Sequence, residues 1–87
     1  MKNSKTILDV TFTLARPGDA PIIAQMSKRL IEEDLPWSWT PERVAKHIRH
    51  RDSVVLTARV REVLIGFAIM QFSDETAHLN LLAVEPG

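Results

Sequence analysis

The chain has 87 residues, 45% of them hydrophobic, and a sequence of this length forms at most one small domain. Its eleven Lys and Arg residues balance eleven Asp and Glu residues, so the zero formal charge disfavours nucleic acid or another polyanion as a partner. Because there is no cysteine, a disulfide framework, a thiolate nucleophile and a cysteine-based zinc site are all excluded.

The first predicted elements are a strand and a helix. Val10, Phe12 and Leu14 alternate with threonines, which is the period of a half-buried strand. Apolar residues then recur at helical spacing and predict a helix over residues 20–33, with Asp19 as its capping residue.

A loop and a second helix follow. Residues 34–39 cannot continue the first helix, because Pro36 lacks an amide hydrogen and forces the residue before it out of the helical region. Thr40 supplies a capping hydroxyl and Pro41 a ring that suits the first turn. A second helix is therefore predicted to begin here and to end near residue 49.

The second half of the chain predicts three strands. Apolar runs at residues 54–58, 64–72 and 77–84 are separated by charged segments short enough to be hairpin loops, residues 59–62 and 73–75. The predicted order is therefore β-α-α-β-β-β. This order indicates an α+β fold, or α/β in the broader sense, with a mainly antiparallel sheet.

The middle one of these three strands is apolar on both faces. Residues 65–70 therefore need cover on both sides of the sheet, and two short helices cover only one side. The chain also ends in a turn, residues 85–87, which is an unusual place for a domain to finish. We therefore expect a sheet that is incomplete on its C-terminal side.

Three segments carry a resemblance to a known family. They are residues 35–38 (Leu-Pro-Trp-Ser), 65–69 (Ile-Gly-Phe-Ala-Ile) and 80–86 (Asn-Leu-Leu-Ala-Val-Glu-Pro). With the order of elements, they resemble the N-terminal half of the GNAT superfamily of N-acetyltransferases, and most of all the branch that acetylates the N-terminus of ribosomal proteins. The resemblance implies that residues 10–87 are the N-terminal half of such a domain and that residues 1–9 are a tail.

The resemblance also implies an activity. A GNAT-like protein transfers an acetyl group from acetyl-coenzyme A (acetyl-CoA) to a primary amine, such as a protein N-terminus or a small molecule, by direct attack without a covalent enzyme intermediate. The family's pyrophosphate-binding turn, Gln/Arg-x-x-Gly-x-Gly/Ala at a helix N-terminus, does not occur in the sequence, and neither does the tyrosine that often serves as general acid. We therefore expect an acetyl-CoA dependent acyltransferase whose 87-residue piece is inactive alone.

The last predicted strand corresponds to the family's cofactor strand. By resemblance, the backbone of Leu82, Ala83 and Val84 hydrogen-bonds the pantetheine arm and helps to hold the thioester carbonyl. The alternative interpretation of these three residues is an ordinary buried strand.

His78 and Asn80 are the predicted catalytic residues. They are two residues apart and so should share one face of the last strand, while Leu79 and Leu81 point to the other face. A histidine titrates near neutral pH and suits removal of a proton from the attacking ammonium, with Asn80 placing a water or the substrate. The alternative is that His78 simply begins a solvated strand.

The loop between the predicted helices holds both tryptophans. Trp37, Ser38 and Trp39 are predicted to line the acceptor site, because aromatic residues in loops often contact ligands. The alternative, expected for one of the two rings, is that it fills the gap between the helices and the sheet. The acidic run at residues 32–34 either attracts the acceptor's amino group or is a solvated helix end.

Basic residues cluster at the end of the second predicted helix. They are Lys46, His47, Arg49, His50 and Arg51. Positive charge there complements the helix dipole, which accounts for the cluster, and no nucleic-acid-binding motif accompanies it. His47 and His50 lack a third ligand nearby, so no metal site is expected.

No segment predicts membrane insertion or export. The longest apolar run, residues 63–70, is far shorter than the roughly 20 residues that a membrane-spanning helix needs. The polar start of the chain is not followed by the apolar core of a signal peptide. We therefore expect a cytoplasmic protein with no membrane partner.

A second function stays open at this point. A shortened relative of the same fold would act as a non-catalytic binding or oligomerisation module, forming a homo-oligomer through its exposed last strand. A peptide- or nucleotide-binding domain of the same topology is a third alternative, because strand order alone does not determine chemistry. Binding of acetyl-CoA distinguishes the enzyme from the non-catalytic module.

Overall fold

The computed structural model describes residues 9–86, which form an antiparallel sheet with two helices packed on one face. The elements are β1 (Val10–Leu14), α1 (Ala20–Leu30), α2 (Pro41–Arg49), β2 (Ser53–Val60), β3 (Val63–Phe72) and β4 (Ala77–Val84), with a short 3-10 turn at Pro17–Asp19. The strands lie in the order β1-β2-β3-β4. The predicted α+β class, element order and antiparallel sheet are confirmed, whereas the predicted tail lies, except for Asp9, outside the described residues.

The hydrophobic core lies between the two helices and one face of the sheet, called here the helix-covered face. Ile23 of α1 and Val44 of α2 are fully buried and belong to one cluster with Val55, Phe67 and Ile69 of the sheet. Burial of each such side chain stabilises the fold by about 1.5–3 kcal/mol relative to leaving it in water. This face of the sheet is therefore the one that fixes the positions of the helices.

The other face of the sheet, called here the open face, is apolar and uncovered within residues 9–86. Phe12 and Leu14 of β1 are 65% and 66% exposed, and Leu82 and Val84 of β4 are each 60% exposed. The strand pairing places the small residues Ala58, Gly66 and Ala68 between these side chains. A shallow apolar depression of about 100 Å³ results. The expectation that β3 needs a second covering layer agrees with this surface.

The burial predicted for β1 is wrong. All five of its residues are exposed, because the apolar side chains that alternate along it point to the open face. Thr13 points to the helix-covered face instead, where its hydroxyl lies 2.9 Å from the hydroxyl of Thr57. The alternation identified the strand correctly, but the face it labels as apolar has no helix on it.

Helix α1 ends at Leu30, three residues before the predicted end at 33. The backbone amides of Ile31 and Glu32 both donate to the carbonyl oxygen of Ser27, each at 2.9 Å, and this bifurcated arrangement closes the helix. The chain then leaves the helix axis, and the Glu32 side chain turns back under the following loop. Apolar periodicity did not predict this end of the helix, because Ile31 still fits the helical pattern.

Asp19 stands at the N-cap of α1 but does not cap it with its side chain. Its carboxylate accepts instead from the backbone amide of Arg16 at 2.9 Å and from the Arg59 guanidinium at 2.6 Å. The prediction of Asp19 as a capping side chain is therefore wrong. The second predicted cap is confirmed, because the Thr40 hydroxyl accepts from the backbone amide of Arg43 at 3.3 Å.

The β2–β3 hairpin turns on two residues, Arg61 and Glu62, rather than on the four predicted. Their φ angles are 52° and 71°, in the left-handed region. A two-residue turn with both φ angles positive matches the right-handed twist of the strands and normally contains Asn and Gly. Neither residue here is of that type, so the turn carries backbone strain of about 1 kcal/mol per residue.

We expect Glu62→Gly to stabilise the protein by about 1 kcal/mol, because glycine adopts a positive φ without steric cost. The measurement is the free energy of unfolding in urea. Glu75→Gly, in the exposed loop before β4, removes the same charge at a position without positive φ and should give no gain. Equal effects of the two substitutions would show that the charge, and not the turn, is responsible.

Candidate functional site

A row of polar residues crosses the sheet at one end of the helix-covered face. Ser53, Gln71 and His78 are cross-strand partners on β2, β3 and β4. Gln71 follows the buried Ile69 by two positions on β3, so the row lies on the same face as the core. The Ser53 hydroxyl lies 3.0 Å from Nδ1 of His47, which ties the row to α2.

Strand β4 contains a bulge at Asn80. Ile69 pairs with Leu81 and the next residue, Met70, pairs with Leu79, so one residue of β4 has no partner on β3. Leu79 and Leu81 therefore lie on opposite faces, and the prediction that both point away from His78 is wrong. Leu79 is 54% exposed on the open face, whereas Leu81 packs against the core.

Because of the bulge, both predicted catalytic residues lie next to Gln71, an arrangement that simple strand alternation does not predict. His78 is the cross-strand partner of Gln71, and the Asn80 side-chain amide donates to Oε1 of Gln71 at 2.7 Å. Gln71 was missed in the sequence, although it is a lone polar residue between Met70 and Phe72 in an apolar strand. Such an interruption is the one sequence signal that pointed to it.

A groove of about 620 Å³ adjoins this polar row, between α2 and the end of the sheet. We call it the α2 groove; its lining residues are Thr40, Glu42, Arg43, Lys46, His47, His50 and Gln71. Gln71 is thus shared by the groove and by the pair His78 and Asn80. Of the predicted basic cluster, Lys46, His47 and His50 line the groove.

His47 lies partly buried at the base of the α2 groove. Burial, together with the positive charges of Arg43, His50 and Lys46, holds the pKa of His47 below its ordinary value. Its ring also contacts Trp39, with ring centres 5.1 Å apart. The neutral imidazole is therefore favoured at neutral pH, and the positive charge of the groove comes mainly from Arg43 and Lys46.

The acidic run at residues 32–34 does not act as one unit, because Glu32 is buried. Only 4% of it is exposed, and its carboxylate accepts hydrogen bonds from the Ser27 hydroxyl, from the amide and hydroxyl of Ser38 and from the Trp39 amide. Burial alone raises a carboxyl pKa, but these donors outweigh it and hold the pKa of Glu32 below its ordinary value. Glu32 therefore holds the tryptophan loop, whereas Glu33 and Asp34 are exposed.

The loop residues predicted to line the acceptor site lie in three different environments. Trp39 is 8% exposed and belongs to the hydrophobic core, as expected for one of the two rings. Ser38 is held by Glu32. Trp37 is half-buried, with the Lys28 ammonium 4.8 Å from its ring centre. Its indole nitrogen has no hydrogen-bond partner among residues 9–86, and of the three it remains the candidate for ligand contact.

The predicted cofactor strand, residues 82–84, is half in the core and half on the open face. Ala83 is buried opposite Phe67, so the buried-strand interpretation describes Ala83 but not the exposed Leu82 and Val84. A side chain at Gly66 would place its Cβ 3.0 Å from the carbonyl oxygen of Ala83, so the close approach of β3 and β4 here favours glycine.

The outer edge of β4 suits a peptide-like ligand. Within residues 9–86, β4 pairs with β3 alone. The backbone N–H and C=O groups of alternate β4 residues point away from β3 and are available for hydrogen bonds. The pantetheine arm of acetyl-CoA contains amide groups of the kind that such an edge binds. The edge therefore fits that arm.

No metal-binding group of three or more ligands occurs among residues 9–86. None of the helices in that range is long and apolar enough to cross a bilayer.

Comparison with known proteins identifies the fold. No family model and no curated protein matches the sequence. Among solved structures, the crystal structure of ribosomal-protein-alanine N-acetyltransferase from Brucella melitensis biovar Abortus 2308 matches with a TM-score of 0.65 and 20% sequence identity, over 88% of this chain and 57% of that one. The likeness shows a GNAT-type fold, of which this chain spans little more than half the length.

We expect Glu32→Ala to lower the free energy of unfolding by about 2–3 kcal/mol, because it leaves buried donors of Ser27 and Trp39 without an acceptor. Urea unfolding followed by tryptophan fluorescence measures both stability and the environment of the two tryptophans, Trp37 and Trp39. Glu33→Ala, the exposed neighbour, is the control and should change stability by less than about 0.5 kcal/mol. Similar losses in both variants would contradict the role given to Glu32.

The stabilisation by Glu32 should disappear in acid. Its pKa in the folded state lies below the unfolded value of about 4.3, so the contribution is complete above that value and is lost as pH falls through the folded pKa. The difference in unfolding free energy between the wild type and Glu32→Gln should therefore shrink from about pH 6 to about pH 3. A difference that stays constant over this range would exclude a charged Glu32 as the stabilising form.

Proposed function

We propose that the protein containing this chain transfers an acetyl group from acetyl-CoA to a primary amine. The observation that carries the proposal is the GNAT-type fold shared with an N-acetyltransferase over 88% of this chain. That neighbour's name supports the finer proposal that the acceptor is a protein N-terminal α-amino group. Because the chain spans 57% of the neighbour's length, we assign the activity to the whole protein and expect this piece alone to be inactive.

His78 is proposed as the base. Acetyl-CoA supplies an acetyl group activated as a thioester. The acceptor ammonium must lose a proton before its nitrogen lone pair can attack the carbonyl carbon, and a neutral imidazole accepts that proton directly or through one water. The C–N bond then forms and the C–S bond breaks, with its electron pair leaving on sulfur. The position of His78, exposed on β4 and next to Gln71, supports this role.

Asn80 and Gln71 are proposed to position the acceptor or the water. The hydrogen bond from Asn80 to Oε1 of Gln71 leaves the Gln71 amide hydrogens available toward the α2 groove. An amide held in this way keeps its orientation at little entropic cost when a ligand binds. Trp37 is the proposed acceptor contact on the loop, whereas Ser38 is engaged by Glu32 and Trp39 belongs to the core.

The backbone of Leu82, Ala83 and Val84 is proposed to hold the pantetheine arm along the outer edge of β4. Two features support this: the edge pairs with no other strand within residues 9–86, and the bulge leaves Asn80 without a partner on β3 just before this segment. Peptide groups suit an arm that is itself built of amides.

We expect His78→Gln in the whole protein to lower kcat/KM for acetyl transfer by about 100-fold and to remove the acidic limb of its pH profile, because the base is lost. Release of the coenzyme A thiol from acetyl-CoA, measured with a peptide acceptor, gives the rate. Glu75→Gln, in the loop before β4, is the control and should leave the rate unchanged. A His78→Gln variant with an unchanged pH profile would exclude His78 as the base.

The alternative proposal is a non-catalytic binding or oligomerisation module. The exposed apolar side chains of the open face and the free edge of β4 favour it, since such surfaces promote association between copies. Thermal unfolding of the whole protein with and without acetyl-CoA distinguishes the two. A rise in Tm with acetyl-CoA supports the enzyme, whereas an unchanged Tm together with a stable oligomer supports the module.

A further inference from the structure

The α2 groove presents basic residues along one whole face of its helix. Arg43, Lys46 and His47 of α2 and His50 at its C-cap occur at positions i, i+3, i+4 and i+7, and all line the groove. Arg43 and Lys46, which carry most of the positive charge, are three residues apart, and like charges at that spacing on a helix repel each other and lower its stability. The arrangement is therefore not explained by stabilisation of the helix itself.

The helix dipole accounts for only part of this pattern. Lys46 and His47 lie in the last turn of α2, where positive charge is favourable. Arg43 is the third residue of the helix, in its first turn, where the dipole disfavours a cation. The sequence-based explanation of the basic cluster by the dipole thus leaves out the residue that occupies the least favourable position.

The charges of the groove are also not neutralised by the protein within residues 9–86. The ion pairs found there join Arg29 to Glu85 and Arg59 to Asp19, and neither pair involves Arg43 or Lys46. Glu42 lines the rim of the groove, but its carboxylate is not within ion-pair distance of either cation. The groove therefore keeps a net positive charge that a ligand can neutralise.

Arg43 is held in place before any ligand binds. Its guanidinium lies 3.8 Å from the centre of the Trp39 ring and donates to the carbonyl oxygen of Ser38 at 3.4 Å. Because Trp39 is a core residue fixed through Glu32, the guanidinium rests on a rigid surface. A guanidinium held in this way loses little conformational entropy when its remaining N–H groups bind a carboxylate.

We propose that the α2 groove binds the acidic side chains of a peptide acceptor. The proposal rests on the acetyltransferase function proposed above and names its substrate class: a polypeptide N-terminus followed by Asp or Glu. Gln71 connects the groove to His78 and Asn80, so carboxylates bound by Arg43 and Lys46 place the preceding α-amino group beside the proposed base. In such a peptide the α-amino group and the following side-chain carboxylates are separated by the backbone, whereas in a free amino acid the α-carboxylate and the amine share one carbon.

The test measures binding without acetyl-CoA, so that it does not depend on catalysis. Amide and indole shifts of the ¹⁵N-labelled full chain are followed during titration with a short peptide amide of alanine followed by glutamates. The matched peptide with glutamines and free glutamate are the comparison ligands. We expect the glutamate peptide to bind most tightly, to shift the Trp39 indole and the α2 amides, and to weaken as salt is raised.

Two pairs of substitutions separate the groove from net charge. Arg43→Gln with Lys46→Gln should weaken binding of the glutamate peptide by about tenfold, because both charge-assisted contacts are lost. Arg49→Gln with Arg51→Gln removes the same charge from residues that do not line the groove and should change it by less than about twofold. Lys46→Gln alone changes an exposed residue and leaves the contact between Arg43 and Trp39 intact. This single variant should also weaken binding of the glutamate peptide.

Several results of the binding test overturn the proposal. Equal affinity for the glutamate and glutamine peptides, or equal losses in the two double variants, would show that the groove is not a carboxylate site. Free glutamate binding as tightly as the peptide would exclude a peptide as the source of the carboxylate. Acetyl transfer by the whole protein without preference for the glutamate peptide overturns this inference alone. Tight binding of the glutamate peptide without any acetyl transfer overturns the proposed function, but the α2 groove then still stands as a carboxylate site.

Discussion

The buried carboxylate of Glu32 is the contact on which the arrangement of the helices and the groove depends. It accepts hydrogen bonds from Ser27 in α1 and from Ser38 and Trp39 in the loop, so it joins the end of one helix to the residues just before the next. A charge is costly to bury unless several donors surround it, and this one has donors on both sides. With the loop fixed, Trp39 is held in the core and supports Arg43 at the mouth of the α2 groove.

The bulge in β4 has a comparable effect at the other side of the site. One additional residue in the strand reverses the faces of the side chains on either side of it. As a result Asn80 reaches Gln71, and His78 completes the polar row that begins at Ser53. The polar chemistry of the candidate site is therefore gathered by strand register, in a region where the sequence shows only scattered polar residues.

The two faces of the sheet have different roles: one stabilises the fold and the other is available for association. The helix-covered face buries Ile23, Val44 and Ile69 and holds the fold together. The open face leaves Phe12 and Leu82 in contact with solvent within the described residues, a cost that a further layer or another copy of the chain would remove. This exposed surface is what favours the alternative proposal of an oligomerising module, and the response to acetyl-CoA distinguishes that module from the proposed enzyme.

The sequence by itself determined the elements and their order, because alternation, helical spacing and the Thr40-Pro41 start are local signals with local causes. It also supported the GNAT-like fold, which a solved structure shares at only 20% identity. Tertiary structure alone decided the rest. Glu32 became a buried anchor, Asp19 paired with Arg59 rather than capping its helix, and β1 turned its apolar side chains away from the helices. The partner of Asp19 is 40 residues away, and the direction of the β1 side chains depends on which face of the sheet the helices cover. The partners of Glu32 are nearer, five to seven residues away, but they come together only because the chain turns back after α1, which helical and strand periodicity do not describe.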